Sequence, residues 1–198
     1  MAEEPLARFS TLPTGEAQEE LLTCCAAPSW AAALAAGRPY PNLASVLAAS
    51  DKAFAAMTAA DLTAAVAAHP RIGDRGRGEP AGPPASSKDA ARRREPARIP
   101  ARHEGGTRDG AWSRQEQAGV SDASADTLAA LAAGNRTYQE RFGQVFLICA
   151  TGLSAAEMLT ALRARLGNDA DTEAKIVREE LRKITGLRLR KLLGGDPT

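Results

Sequence analysis

Apolar positions recur at helical spacing along most of the chain, and the polar breaks between them predict a series of helices. Leu21 and Leu22 belong to a helix that begins after Pro13-Thr14, and Trp30 and Leu34 are helical neighbours on the next. Pro39 and Pro41 bracket Tyr40 and end that helix. Leu43, Val46, Leu47 and Phe54 mark an amphipathic helix. Thr58-Ala59-Ala60-Asp61 is a capping-box-like start. A Thr oxygen can accept from a backbone N–H three residues on, and Asp suits the positive helix end. Leu62 and Val66 carry this helix forward until Pro70. The residue before a proline avoids the helical region, so His69 falls at the exit.

In the second half, a helix from about Ser124 to Phe142 carries Leu128, Leu131, Asn135, Tyr138 and Phe142 on one face, with Gly143 as its stop. Val145-Phe146-Leu147-Ile148-Cys149 is a continuous apolar run. It is either a buried extended segment or a buried helical turn, and periodicity does not separate the two. Ser154-Ala155-Ala156-Glu157 is a capping box opening a helix through Met158, Leu159, Leu162 and Leu166, closed by Gly167. Asp171 caps the last helix, which turns Val177, Leu181, Ile184 and Leu192 inward. The pattern breaks between residues 74 and about 111, where Gly, Pro, Arg, Ala and Ser dominate and Ile99 is the only large aliphatic residue. Such a tract buries too little surface to offset chain entropy. The expected fold class is all-α: one helical domain over residues 1–198, a bundle with a long disordered loop insertion.

Composition narrows the function classes. The chain has 198 residues, enough for one domain with a real core. Its 44% hydrophobic content is mostly Ala and Leu, with 4% aromatic residues, as suits closely packed helices. A net charge of +1 gives no nucleic-acid partner. Arg92-Arg93-Arg94 with Arg98 is read as part of a solvated loop. Cys24, Cys25 and Cys149 form no disulfide framework and indicate buried thiols in a reducing compartment. The acidic N-terminus lacks a secretion signal, and no apolar stretch reaches membrane length. The expectation is a soluble cytoplasmic protein. His69, His103 and the cysteines lack metal-ligand spacing, so no metal is expected.

Three places carry chemistry. His69 is one of two histidines and can exchange a proton near neutral pH, while Pro70 and Gly73 define the chain's path beside it. Ser113-x-x-Glu116 reads equally well as a capping box and as a hydroxyl and carboxylate presented at a helix start. Gln117 adds an amide there, and a helix N-terminus suits an anionic ligand. Arg188 falls in the middle of the apolar face of the last helix. A guanidinium there needs a carboxylate, either a protein acid such as Glu116 or a substrate. Arg165 lies towards the flank of its apolar face and is expected to snorkel or to pair with a nearby Asp or Glu.

Taken jointly, ordered motifs over nearly the whole chain resemble the 2-oxo-4-hydroxy-4-carboxy-5-ureidoimidazoline (OHCU) decarboxylases. They are Trp30 with Arg38-Pro39, His69-Pro70-Arg71-Ile72-Gly73, Ser113-x-x-Glu116-Gln117-Ala118-Gly119 and Asn135-x-x-Tyr138-x-x-x-Phe142-Gly143. Phe146-Leu147-Ile148-Cys149-Ala150, Arg165-Leu166-x-Asn168, Glu173 and Ile184-x-x-x-Arg188-Leu189 complete them. The loop between Gly73 and Ser113 is longer than is usual in that family. The resemblance implies an all-helical, usually dimeric enzyme without a cofactor. It would act on a small-molecule ureidoimidazoline carboxylate in urate breakdown and yield (S)-allantoin. It implies His69 as acid/base and Glu116 as the group that orients the imidazole or binds the substrate hydroxyl. Pro70, Ser113, Gln117, the backbone near Ile148, and Arg188 would bind substrate. Two other classes predict different behaviour. A non-catalytic binding or scaffold protein on this fold would not turn substrate over. An anion- or nucleic-acid-binding module using the Arg-rich loop would lose its ligand steeply with salt.

Overall fold

A computed structural model of the protein describes residues 3–72, 112, 115, 116, 118–120 and 123–194. The long insertion at 74–111, Ser113 and Gln117 therefore lie outside the described residues. Among the described residues eight α-helices and one 3-10 turn have defined bounds, Trp112, Gln115 and Glu116 are also helical, and no strand occurs. In chain order the first five are α1 (Glu3–Thr11), α2 (Thr14–Leu22), α3 (Pro28–Ala36), α4 (Leu43–Ala56) and α5 (Ala59–Ala67). The 3-10 turn Ala118–Val120 precedes α6 (Ala125–Phe142), α7 (Ala155–Arg165) and α8 (Ala170–Leu192). The all-α expectation holds. None of these helices is long and apolar enough to cross a membrane.

Local chemistry explains most boundaries. The Thr58 hydroxyl accepts from Asp61 N–H at 3.1 Å while Asp61 accepts from Thr58 N–H at 3.0 Å, a reciprocal box that satisfies two otherwise orphaned donors. Ser154 and Glu157 do the same for α7. Gly143 ends α6 in the left-handed region at φ 69°, where a side chain would be strained. Two boundaries differ from expectation. Asp169, not Asp171, caps α8: its carboxylate accepts from Thr172 N–H at 2.8 Å. A cap must precede the first turn to face an N–H three residues on, and Asp171 already lies inside that turn. Trp112 is already helical, so the helix expected to start at Ser113 begins at or before Trp112. The helix α1 goes unmarked in the hydrophobic pattern, because Phe9 is its one fully buried residue.

Buried side chains form two clusters. One gathers Phe9, Leu21, Trp30, Leu34 and Phe54 with Val177, Leu181 and Ile184 of α8. The other gathers Ile72 with Leu131 and Tyr138 of α6 and Met158 and Leu162 of α7. The apolar run at 145–150 is the seam between them. Val145, Leu147 and Cys149 pack on the first cluster. Phe146, Ile148 and Ala150 pack on the second. Alternation with period two is what an extended chain produces, so the run is a buried extended segment and not a helical turn. It is apolar throughout because both of its faces are covered.

Candidate active site

Where α5 ends, hydrogen bonds to its last turn set His69. Its N–H donates to Val66 O at 3.0 Å, closing the last turn. Its Nδ1 lies 2.9 Å from Ala65 O. A carbonyl only accepts, so Nδ1 carries the hydrogen and Nε2 is the nitrogen at which a proton can come and go. The residues that follow are tied to α6, one through backbone and one through a side chain: Asn135 Nδ2 donates to Ile72 O at 3.0 Å, and Arg71 Nη2 donates to Gln139 Oε1. His69 and Ile72 are buried, while Pro70 is exposed.

Opposite stands Glu116. Arg188 grips its carboxylate as a fork, Nε to Oε1 at 3.0 Å and Nη2 to Oε2 at 2.9 Å. The Arg188 side chain is 2% exposed and that of Glu116 is 9% exposed, so the pair is shielded from water and salt. The acid that the buried Arg188 demands is thus Glu116, from the other side of the insertion.

These groups meet in one cleft at the junction of the two clusters. His69 and Glu116 supply its polar end, Pro70 and Ile72 one wall, and Phe146 to Ile148 with Ala150 the other. Ile184 of α8 closes it, leaving a cavity of about 20 Å³. His69, Pro70, Glu116 and Ile148 are therefore brought together as the sequence motifs anticipate. Arg188 is not among the lining residues and stands behind Glu116. Ser113 and Gln117 are outside the described residues.

A buried network supports the extended wall. Arg165 Nη1 donates to Leu147 O at 2.6 Å, and its Nε donates to Glu173 Oε1 at 2.8 Å. Tyr138 OH also donates to Glu173, and Asn168 Nδ2 donates to Oε2 at 2.8 Å. Burial alone would raise the Glu173 carboxyl, but the hydrogen bonds from Arg165, Tyr138 and Asn168 outweigh it and hold it below the ordinary range. Burial raises the Tyr138 phenol, and its hydrogen bond to Glu173 adds to that. Arg165 thus pairs with a nearby acid as expected, but inside the protein and not by snorkelling. Individually these residues give weak sequence signals; only the surrounding fold shows that they brace Leu147.

A larger groove of about 340 Å³ lies on the Cys149 side of the segment, between α4 and α8. Two of its three cations are engaged already, Arg182 with Asp51 and Glu179 and Lys183 with Glu180, while Arg190 lines it as the third. Burial pushes the Cys149 thiol up, with Glu180 acting the same way, so it is a poor nucleophile there. Size favours this groove, but proton-transfer chemistry favours the smaller cleft. Among the described residues, no cluster of His, Cys, Asp or Glu is grouped to hold a metal ion.

Comparison with known proteins shows similarity in both sequence and fold. Residues 10–104 and 94–190 match the family model described as OHCU decarboxylase. The chain is 32% identical over 175 residues to the uric acid degradation bifunctional protein TTL of Arabidopsis thaliana, covering 88% of this chain and 47% of that protein. It is 39% identical over 79 residues to the 2-oxo-4-hydroxy-4-carboxy-5-ureidoimidazoline decarboxylase of Amia calva, covering 40% of this chain and 45% of that one. The chain thus spans about half the length of the curated relatives it matches. Its fold matches a crystal structure of OHCU decarboxylase in the presence of (S)-allantoin with TM-score 0.65 and 26% identity, over 88% of this chain and 97% of that one. It also matches a crystal structure of (S)-allantoin synthase with TM-score 0.62, over 94% and 53% of the two chains. At 14% identity that second likeness concerns the fold alone.

Proposed function

The chain belongs to the OHCU decarboxylase family, and from that premise we propose that it decarboxylates 2-oxo-4-hydroxy-4-carboxy-5-ureidoimidazoline to (S)-allantoin, with His69 as the acid/base. The observation that carries this reading is the convergence of His69 and the Glu116–Arg188 pair on one small cleft from opposite sides of the insertion. In the reaction, the carbon–carbon bond to the carboxylate breaks and carbon dioxide leaves. The electron pair left behind delocalises into the conjugated ring of the substrate and is then quenched by one proton. The ring itself holds the developing charge, so the protein needs no cofactor for that step.

What the protein supplies is orientation and a proton. Hydrogen-bonded through Nδ1 to Ala65 O, the His69 imidazole keeps a fixed tautomer and plane. It exchanges the proton at Nε2. Glu116, held by the Arg188 fork, accepts from the substrate hydroxyl, and Arg188 acts through that carboxylate. Pro70 and the backbone at Ile148 shape the two walls, and Ser113 and Gln117 complete the polar contacts. Proton delivery from one face accounts for a single-handed product. The family resemblance further supports a homodimer acting in the cytoplasm.

The substrate is short-lived, so the test generates it in situ from urate and follows its loss by absorbance and the product's handedness by circular dichroism. The protein is expected to accelerate the loss and yield one enantiomer, and His69→Ala is expected to return both to the spontaneous course. An unchanged decay in the presence of the folded wild-type protein refutes the reading. Binding without turnover identifies a non-catalytic member of the fold.

A further inference from the structure

Both walls of the cleft are tied to one helix that contributes nothing to its lining. On α6, Asn135, Tyr138 and Gln139 share a face, being spaced by three and four residues. Tyr138 reaches the extended wall through Glu173 and Arg165, which holds Leu147 O. Asn135 and Gln139 reach the opposite wall directly, through Ile72 O and the Arg71 guanidinium. Resting on the functional reading above, we propose that Asn135, seconded by Gln139, is a positioning residue for the His69–Ile72 wall.

The helix α5 has ended before His69, so its own ladder holds the chain only as far as the His69 N–H bond to Val66. Pro70 has no N–H to donate. The backbone from Pro70 to Ile72 therefore has to be fixed from outside, and Asn135 spans 63 positions of sequence to do so. The amide donates through Nδ2 to a backbone carbonyl inside the second cluster, with Asn135 itself only 5% exposed. The price of this arrangement is Asn135 Oδ1, which is buried with no hydrogen-bond partner among the described residues. An apolar residue would avoid that penalty, so an amide here is explained by what its donor end holds. The carbonyl it holds belongs to Ile72, whose side chain lines the cleft three residues after His69. A shift of this wall moves the imidazole relative to Glu116 and to any bound molecule.

The experiment compares wild type, Asn135→Ala and Gln139→Ala by kcat and KM separately, by thermal midpoint, and by the NMR signals of the His69 ring. The chain has only two histidines, so His103→Gln assigns the signals. Asn135→Ala is expected to lower kcat on the order of ten- to a hundredfold, the effect of misplacing a reacting group, with KM changed less. Its His69 ring signals should shift or broaden. Gln139 is only half-buried, so Gln139→Ala folds and gives the same signature more weakly. Wild-type kcat and unchanged His69 signals in both variants overturn the proposal. If Asn135→Ala fails to fold, Gln139→Ala decides. If the wild type shows no turnover but the His69 signals still move, the positioning role stands and the functional reading falls.

Discussion

Replacing Glu116 by Gln separates the two roles that its sequence position allows. A capping box accepts either residue, so a carboxylate that served only as a cap would be replaced at almost no cost. In the structure both Glu116 oxygens are engaged by Arg188, whose side chain is 2% exposed. Gln keeps the shape but offers one acceptor and turns an amide donor towards a guanidinium donor. It also removes the negative charge that the buried Arg188 fork holds. Breaking a buried pair from one side costs about 3–5 kcal/mol. For a chain of this size, a loss of that order lowers the melting midpoint by about 6–20 °C. Arg188→Met is expected to cost less, because the stranded Glu116 lines the cleft and can be hydrated there. The double variant removes both charges, so its loss should be well below the sum of the single losses. The assay is urea unfolding followed by far-ultraviolet circular dichroism at pH 7, arranged as a double-mutant cycle. A Glu116→Gln midpoint matching wild type, or strictly additive losses, would refute the reasoning and restore the cap as the sole role of Glu116.

The same approach extends to the rest of the molecule. Glu173 has a folded pKa below its ordinary value of 4.5, so its stabilisation is fully present above that pH and lost as pH falls through the lower folded value. Wild type should therefore lose stability on acidification below about 4.5, and Glu173→Gln should be less stable at pH 7 yet flatter in that acid range; parallel curves for the two proteins would exclude Glu173 as a contributor. At Gly119 an added Cβ would lie 2.0 Å from Leu153 O, a backbone atom that cannot swing away. Gly119→Ala should displace the 3-10 turn three residues after Glu116, lowering both midpoint and turnover; a variant equal to wild type in both measurements would show that the turn tolerates a side chain.

How far the sequence reads on its own depends on how local the cause is. Capping at Thr58, Ser124 and Ser154 is legible because an oxygen and an N–H three residues apart meet in any helix. The termination before Pro70 and the stop at Gly143 are legible for the same reason. Asp169 and Asp171 both suit a helix start, and only the placed backbone chooses Asp169. The apolar run at 145–150 is ambiguous until both clusters are in place, because alternation shows only when the two faces have different neighbours.

The site divides in the same way. By itself, the sequence determined that the chain is helical, that His69 sits at a helix exit, and that Arg188 on an apolar face must find a carboxylate. Those conclusions follow from spacing and from the cost of burying a charge. Tertiary structure alone decided that the carboxylate is Glu116, 72 positions away, and that Asn135 and Arg165 brace opposite walls of one cleft. Hydrogen bonds between such distant positions leave no period in the chain; they are set by which faces of α5, α6, α7 and α8 the two hydrophobic clusters turn towards each other.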